Sequence, residues 1–190
     1  MIIGFLGNKR VGKDTAANFL INKYNFIRYA FGDPVKDVAK AMFNFSDNQL
    51  YGDKKEIIDT RWNITPRRAF QVIGTDFAQY SIYNSLPELE QNVEKRTFWV
   101  KRFEIWYQEQ IKNNTNINVV LSDVRFQHEI DSIKKLGGII IKINSNRTTN
   151  DEHISENQIN SIKSYDYLIN NNKDIESFKQ EINKIYGKLV

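Results

Sequence analysis

The residues that could do chemistry first appear between positions 4 and 15, in the stretch GFLGNKRVGKDT. Gly7, four further residues and then Gly12 and Lys13 have the spacing of a loop that holds phosphate with backbone N–H groups and a lysine. Ser or Thr normally follows that lysine, and its hydroxyl group contacts magnesium. Here Asp14 takes that place and Thr15 comes one residue later. The pattern predicts a phosphate site formed by Gly7, Asn8, Lys9, Arg10, Val11, Gly12, Lys13, Asp14 and Thr15.

The residue after Lys13, Asp14, helps to distinguish between classes of enzyme that share this loop. A carboxylate directed at a polyphosphate would be repelled, so Asp14 either points away or serves as an oxygen ligand of Mg²⁺. Thr15 can still donate to a phosphate oxygen, and Lys13 can reach the outer phosphates of ATP. A non-hydroxyl residue followed by Thr is similar to the layout of nucleoside monophosphate kinases of the adenylate kinase type. Switch GTPases and most motor ATPases instead place Ser or Thr directly after the lysine.

Basic residues further along the chain indicate a second phosphate site, for an acceptor. In FGDPVKDVAK, Lys36 would meet the acceptor phosphate and Asp33 would position it or a metal; a solvated helix position is the alternative for Lys36. The segment TRWNITPRRAFQVIGTD supplies arginine forks, which match phosphate geometry, and a glutamine amide that can read a base edge. If residues 67–78 are α-helical, Arg67, Gln71 and Gly74 share one face. The candidates in this segment are Arg61, Arg67, Arg68, Gln71, Gly74 and Thr75.

The segment VVLSDVRFQHE places further charged groups after an apolar strand. Asp123 ends the strand, in the usual position for a carboxylate that orients magnesium. Arg125 can neutralise charge that develops on the transferred phosphoryl group. Glu129 is either a helix-surface carboxylate or a partner that holds Arg125. We therefore expect the catalytic groups to be Lys13, Asp33, Asp123 and Arg125, with Asp14 and Asp123 as magnesium ligands.

Alternating apolar strands and helical segments must position these groups. Strands are predicted at 1–6, 26–31, 117–123, 139–143 and 165–170, with helices at 15–24, 35–43, 127–136 and 175–190. This alternation predicts an α/β fold with three layers, in which helices cover both faces of a five-stranded parallel sheet. Residues 44–116 hold all three Trp residues and helical patterns, and are predicted to form a helical insertion that binds the acceptor.

Composition sets limits on the protein class. A chain of 190 residues with 41% hydrophobic and 26% charged residues fits one globular domain. Zero cysteines exclude a disulfide scaffold, a thiolate metal site and a cysteine nucleophile. No stretch is apolar for long enough to predict a signal peptide or a membrane span, so a cytoplasmic protein is expected. The net charge of +4 suits anionic small molecules about as well as nucleic acid.

The motifs together resemble the deoxynucleoside monophosphate kinases of T-even phages and related viruses. They are GNKRVGKDT, GDPVKDVA, RRAFQVIGTD, FWVK, DVRFQHEID and HISE, in the same order along the chain. The resemblance implies a P-loop kinase that uses ATP and Mg²⁺ to phosphorylate a deoxynucleoside monophosphate, in the host cytoplasm if the protein is viral. It implies a lid-like loop at about 144–157, with Arg147 as its basic residue, and places residues 170–174 near the adenine. Acceptor contacts would fall on Lys36, Asp37, Arg61, Arg67 or Arg68, Gly74, Thr75, Trp99 and Arg125.

Other readings stay open at this level. A related small-molecule kinase, acting on dephospho-coenzyme A or phosphomevalonate, would share the loop. A nucleotide-binding protein without turnover would need no second, arginine-rich site. Nucleic-acid binding is disfavoured because it would need a basic face spread over the surface, whereas the arginines and aromatics concentrate around one expected cleft. The expected partner is therefore a nucleotide substrate, with no nucleic acid and no membrane, and a homodimer is left open.

Overall fold

The computed structural model describes residues 1–146, 159 and 161–190. Within them the strands are β1 (Ile2–Leu6), β2 (Ile27–Tyr29), β3 (Val119–Val124), β4 (Ile139–Asn144) and β5 (Tyr167–Asn170). The α-helices are α1 (Lys13–Tyr24), α2 (Gly32–Phe43), α3 (Asp47–Leu50), α4 (Pro66–Gln71), α5 (Ile82–Ser85), α6 (Phe98–Asn113), α7 (Gln127–Lys135) and α8 (Ile175–Tyr186). A π-helix, Val72–Ser81, follows α4, and 3₁₀-helices occupy Asp53–Glu56 and Pro87–Gln91.

The strands form one parallel sheet in the order β2-β3-β1-β4-β5. Every residue of the central strand β1 is buried, as its uninterrupted apolar sequence predicts. Leu6 pairs with Val124 on one side and with Lys142 on the other, so the loops after β1, β3 and β4 leave the same edge of the sheet. Ligands of open parallel sheets bind at this carboxyl edge.

Helices cover both faces of the sheet. On one face, Ile3 and Phe5 of β1 share a buried cluster with Ala17 and Leu20 of α1 and with Phe178 of α8. On the other face, helix α7 packs so closely that a Cβ added to Gly4 would lie 3.1 Å from Ile133 Cδ1. The predicted three-layer α/β fold is therefore confirmed.

The chain divides into two compact units, each described by itself. The sheet unit comprises Met1–Ala30 and Tyr107–Val190, and the helical unit comprises Phe31–Trp106. In the helical unit, α4 begins where sequence rules expect it, because Thr65 accepts a hydrogen bond from the Arg68 N–H at 3.1 Å and Pro66 follows. That the chain acts as one kinase domain stays a prediction.

Several boundaries differ from the sequence predictions. Strand β2 ends at Tyr29 because Phe31 already has helical backbone angles and leads into α2. Helix α8 ends at Tyr186, four residues before the terminus. The helix considered at 67–78 is α-helical only to Gln71, and a ten-residue π-helix, Val72–Ser81, follows it. Among the described residues, we find no helix with the length and apolar character that a membrane span requires.

Candidate active site

The phosphate loop, residues 7–13, is held in a tight wrap between β1 and α1. A Cβ added to Gly7 would lie 2.4 Å from the Ile143 carbonyl oxygen, so this position admits no side chain. Arg10 and Gly12 have φ angles of 66° and 108°, in the region that L side chains rarely adopt. The two glycines of the motif are therefore required by the path of the backbone.

Lys13 lies inside this loop rather than in solvent. Its side chain is 8% exposed, and its Nζ donates to the carbonyl oxygens of Gly7 at 2.7 Å and of Asn8 at 2.6 Å. The Lys13 ammonium group therefore bridges the carbonyl groups at the start of the phosphate loop. It is placed at the start of α1, where the helix dipole also favours an anion.

The remaining loop residues have different surroundings. Val11 is 2% exposed and packs in the core, which leaves only its backbone for a ligand. Asp14 is exposed in the first turn of α1, and Thr15 beside it is partly buried. Asn8 is partly buried, whereas Lys9 and Arg10 are exposed. The exposed position of Asp14 suits either an outward orientation or a metal contact.

A β-bulge shapes the end of β3 beside the loop. Gly4 pairs with Leu121 but Leu6 pairs with Val124, so Ser122 and Asp123 together lie opposite Phe5. Bulges of this kind redirect side chains at the ends of strands. Ser122 is 2% exposed, and its hydroxyl has no hydrogen-bond partner among the described residues. Asp123 is only partly buried, and its role as a magnesium ligand stays a prediction.

Glu129 holds the turn that carries Arg125. Its Oε2 accepts hydrogen bonds from the backbone N–H groups of Arg125 at 2.7 Å and Phe126 at 3.0 Å. The side chain is 5% exposed, so the expectation of a helix-surface carboxylate is wrong and the alternative, a partner of Arg125, is confirmed for the backbone. Burial raises the pKa of Glu129 to about 8, against the opposing effect of the Arg125 hydrogen bond.

In the helical unit, Arg61 is part of a fixed network. Its Nε donates to Asp59 Oδ1 at 3.0 Å and its NH2 group to Asp59 Oδ2 at 2.6 Å, while NH2 also reaches the Asn44 carbonyl. Asp59 is buried and accepts a further bond from Gln49. The Arg61 hydrogen bonds, followed by the Gln49 bond, hold the pKa of the Asp59 carboxyl well below its usual range. Arg61 therefore braces the 59–64 turn.

The two arginines of α4 have looser partners. Arg67 donates to Glu56 Oε1 from Nε at 3.0 Å and from NH2 at 2.9 Å. Arg68 lies 3.7 Å from a carboxylate oxygen of Asp76. Exposed ion pairs of this kind contribute at most about 1 kcal/mol, so another anion can replace either carboxylate. The structure thus joins each arginine to a different acidic residue.

Lys36 is also paired within its own unit. Its Nζ lies 3.2 Å from Asp33 Oδ1 and 4.4 Å from the centre of the Tyr51 ring. This contact pairs Lys36 with Asp33; the predicted role of Asp33, to position the acceptor phosphate or a metal, stays a prediction. Asp37, one residue further on, is exposed. Binding of an acceptor by this group stays a prediction.

The π-helix contains Gly74 and Thr75, and Trp99 hydrogen-bonds to it. The Trp99 indole N–H donates to the Gly74 carbonyl at 2.8 Å, and the side chain is 9% exposed. The structure gives Trp99 a packing role, and its predicted contact with the acceptor stays a prediction. Because the helix changes pitch at Val72, the spacing that places Arg67 and Gln71 on one face does not extend to Gly74. Thr75 is exposed.

Two parts of the expected site need separate mention. The lid-like loop predicted at about 144–157, with Arg147, lies outside the described residues from position 147 onward. Sequence reasoning also missed Asn171, whose side chain contacts the phosphate loop across 160 positions of sequence. The resemblance places residues 170–174 near the adenine, but the run of three asparagines at 170–172 indicates a loop and gives no signal of a contact with the phosphate loop.

The phosphate loop at the edge of a five-stranded parallel sheet is the arrangement of the P-loop kinase fold. Dephospho-CoA kinase from Campylobacter jejuni has a similar fold, with a TM-score of 0.51, 16% sequence identity and coverage of 99% of this chain and 96% of the other. At that identity the likeness shows the fold alone.

Sequence relatives define the class further. The family described as Deoxynucleotide monophosphate kinase matches residues 1–63 and 44–182. A mimivirus protein (Acanthamoeba polyphaga mimivirus) assigned as a deoxynucleotide monophosphate kinase is 42% identical over 186 residues, covering 96% of this chain and 94% of the relative. The deoxynucleotide monophosphate kinase of Enterobacteria phage T4 is 24% identical over 234 residues, with coverage of 95% and 96%. The chain belongs to the deoxynucleotide monophosphate kinase family, and it is a nucleoside monophosphate kinase.

Proposed function

We propose that the protein transfers the γ-phosphoryl group of ATP to a phosphate oxygen of a deoxynucleoside monophosphate, giving ADP and the deoxynucleoside diphosphate. The observation that carries the proposal is the phosphate loop with Lys13 enclosed in it, in a chain of this family. A phosphate oxygen is already a competent nucleophile, so the reaction requires no general base. Positioning and charge neutralisation then supply most of the rate.

The sheet unit would bind ATP. The N–H groups of the phosphate loop and the start of α1 would hold the phosphate oxygens, with Thr15 as a further donor. Lys13 would exchange one of its two carbonyl acceptors for an outer phosphate oxygen. Arg125, on a backbone held by Glu129, would meet the charge that grows on the transferred group.

The residues present also fit a magnesium ion. The described residues contain no cluster of three or more His, Cys, Asp and Glu side chains, but Mg²⁺ often uses one or two carboxylates together with substrate phosphates. Asp14 and Asp123 are the carboxylates that would hold it. When bound, Mg²⁺ would supply neutralisation of the phosphate charge. The use of Mg²⁺ is part of this proposal. So is the location of the reaction, which would be the host cytoplasm if the protein is viral.

The helical unit would bind the acceptor monophosphate. Arg67 and Arg68 suit this role better than Arg61, because their carboxylate partners are exposed and exchangeable. Arg61, fixed on the buried Asp59, would act as a support. Lys36 would add a further positive charge.

A coupled assay of ADP release tests the function. The panel contains deoxy- and ribonucleoside monophosphates, with dephospho-coenzyme A as the competing acceptor. We expect turnover with deoxynucleoside monophosphates, near-complete loss in Lys13→Ala and normal rates in Lys188→Ala, an exposed lysine of the same unit. Turnover with dephospho-coenzyme A alone, or near-normal activity in folded Lys13→Ala, would contradict the proposal.

Arginine variants test the acceptor site separately. A charge-assisted hydrogen bond contributes roughly 1.5–3 kcal/mol, so Arg→Ala at a working position should lower kcat/KM for the monophosphate about 10- to 150-fold. ATP affinity should be spared, and Lys should restore only part of the loss because the fork is missing. One of Arg67 and Arg68 should be nearly silent, since neighbours on a helix point about 100° apart. Arg125→Ala should lower kcat more than it changes KM.

A further inference from the structure

We infer that Asn171 is a positioning residue that sets the direction of a phosphate-binding N–H group in the loop. The inference rests on the proposed binding of ATP. It concerns a contact within the sheet unit, between the segment that follows β5 and the phosphate loop. The Asn171 Nδ2 donates to the Val11 carbonyl oxygen at 2.9 Å.

The backbone of Asn171 is itself fixed, so its side chain is a rigid donor. Its N–H donates to the Asn144 carbonyl at 2.8 Å, and its own carbonyl accepts from Ser145 Oγ at 3.0 Å. The next residue is tied to the same strand end, because Asn172 Oδ1 accepts from the Asn146 N–H at 2.8 Å. Residues at and just after the end of β4 therefore hold Asn171 and Asn172 by three hydrogen bonds.

The acceptor side of the contact is equally constrained. The Val11 side chain is anchored in the core at 2% exposure. A Cβ on Gly12 would lie 2.7 Å from Asn171 Nδ2 and 3.2 Å from a ring carbon of Phe178. The amide thus lies directly against the Cα of Gly12, and the absence of a side chain there makes room for it.

Peptide geometry gives this contact a consequence for binding. In a planar trans peptide the C=O and N–H groups point in opposite directions. When Asn171 holds the Val11 carbonyl on its own side, the N–H of Gly12 is directed to the other side of the loop. A free Val11–Gly12 peptide could rotate and present its carbonyl oxygen, which would repel a phosphate, in place of the N–H donor.

Two substitutions test this role. Asn171→Ala removes the donor, and Asn171→Asp keeps the shape but directs a carboxylate at the Val11 carbonyl. We expect the KM for ATP and the Kd for ATP measured by calorimetry to rise about 10- to 100-fold, with the larger effect in Asn171→Asp. The KM for the monophosphate should change less than twofold. Asn22→Asp, an exposed change of the same kind on α1, should resemble the wild type.

The controls separate this inference from the proposed function. If the wild type shows no kinase turnover, the proposed function fails while ATP calorimetry still tests Asn171. The inference is overturned if both variants bind ATP within twofold of the wild type. It is also overturned if Tm falls and both KM values rise together, as a purely structural role would produce. If Asn171→Asp does not fold, Asn171→Ala carries the same test, since the backbone bonds to Asn144 and Ser145 persist.

Discussion

Replacing Glu129 with Gln should remove the part of the pH dependence of stability that comes from this carboxyl group. Gln keeps an oxygen that can accept the two N–H bonds from Arg125 and Phe126, but it never ionises. The folded state holds the Glu129 proton more tightly than the unfolded chain does, because its pKa rises from an ordinary 4.5 to about 8. The stabilisation associated with the bound proton is complete below pH 4.5, and it is lost as the pH rises through 8.

The size of the effect follows from the same two pKa values. At about 1.4 kcal/mol per pH unit, ionisation of Glu129 in the unfolded chain, while the folded protein largely keeps its proton, should lower the free energy of unfolding by about 3 kcal/mol at pH 7 and about 4 kcal/mol at pH 8. Glu129→Gln escapes this loss. Its stability should therefore be close to that of the wild type at pH 5 and should exceed it increasingly up to pH 8.

Urea unfolding followed by circular dichroism at pH 5, 6, 7 and 8 measures this difference. Asp131→Asn, an exposed change on the same helix, is the matched control and should give a curve parallel to the wild type. Parallel curves for Glu129→Gln and the wild type would refute the reasoning. Such a result would mean that Glu129 ionises in the folded protein as easily as in the unfolded chain.

Three further substitutions have defined outcomes. Gly12→Ala should lower the free energy of unfolding by about 1–3 kcal/mol and sharply reduce ATP use. The reason is that φ is 108° and the new Cβ would lie 2.7 Å from Asn171 Nδ2. An unchanged urea midpoint would contradict this. Ser122→Ala should leave stability unchanged or raise it by about 1 kcal/mol, because the buried hydroxyl has no described partner; a clear loss would show that it has one. Thr65→Ala should cost about 1 kcal/mol through loss of its bond to the Arg68 N–H, whereas Thr65→Ser should not.

The sheet and the phosphate loop could be predicted because their signals are local. Each strand is a short apolar run, and the spacing of Gly7, Gly12 and Lys13 depends on the path of a few residues. Regular alternation with helices then implies the parallel sheet. The family resemblance rested on motifs of the same local kind.

Other features could not be predicted because distant residues decide them. α-Helices and π-helices contain similar residues. The sequence VIGTDFAQYS therefore gives no indication that the helix changes pitch at Val72. The bulge at Ser122 exists only in the pairing with β1. The burial of Glu129 had no signal either, since its helix begins after Phe126 rather than after a Ser or Thr that would indicate a capping box.

If Arg67 and Arg68 bind the acceptor as proposed, their pairing with Glu56 and Asp76 would make acceptor binding an anion-exchange reaction. A monophosphate that binds either guanidinium group would displace its carboxylate partner. The net free energy of binding would then be the difference between the energies of the two ion pairs. Doubly charged phosphate should win this competition, whereas a singly charged ester should not. The preference of the enzyme for phosphorylated over unphosphorylated acceptors would thus be set by competition with its own acidic side chains, and chloride or sulfate in the medium would enter the same competition.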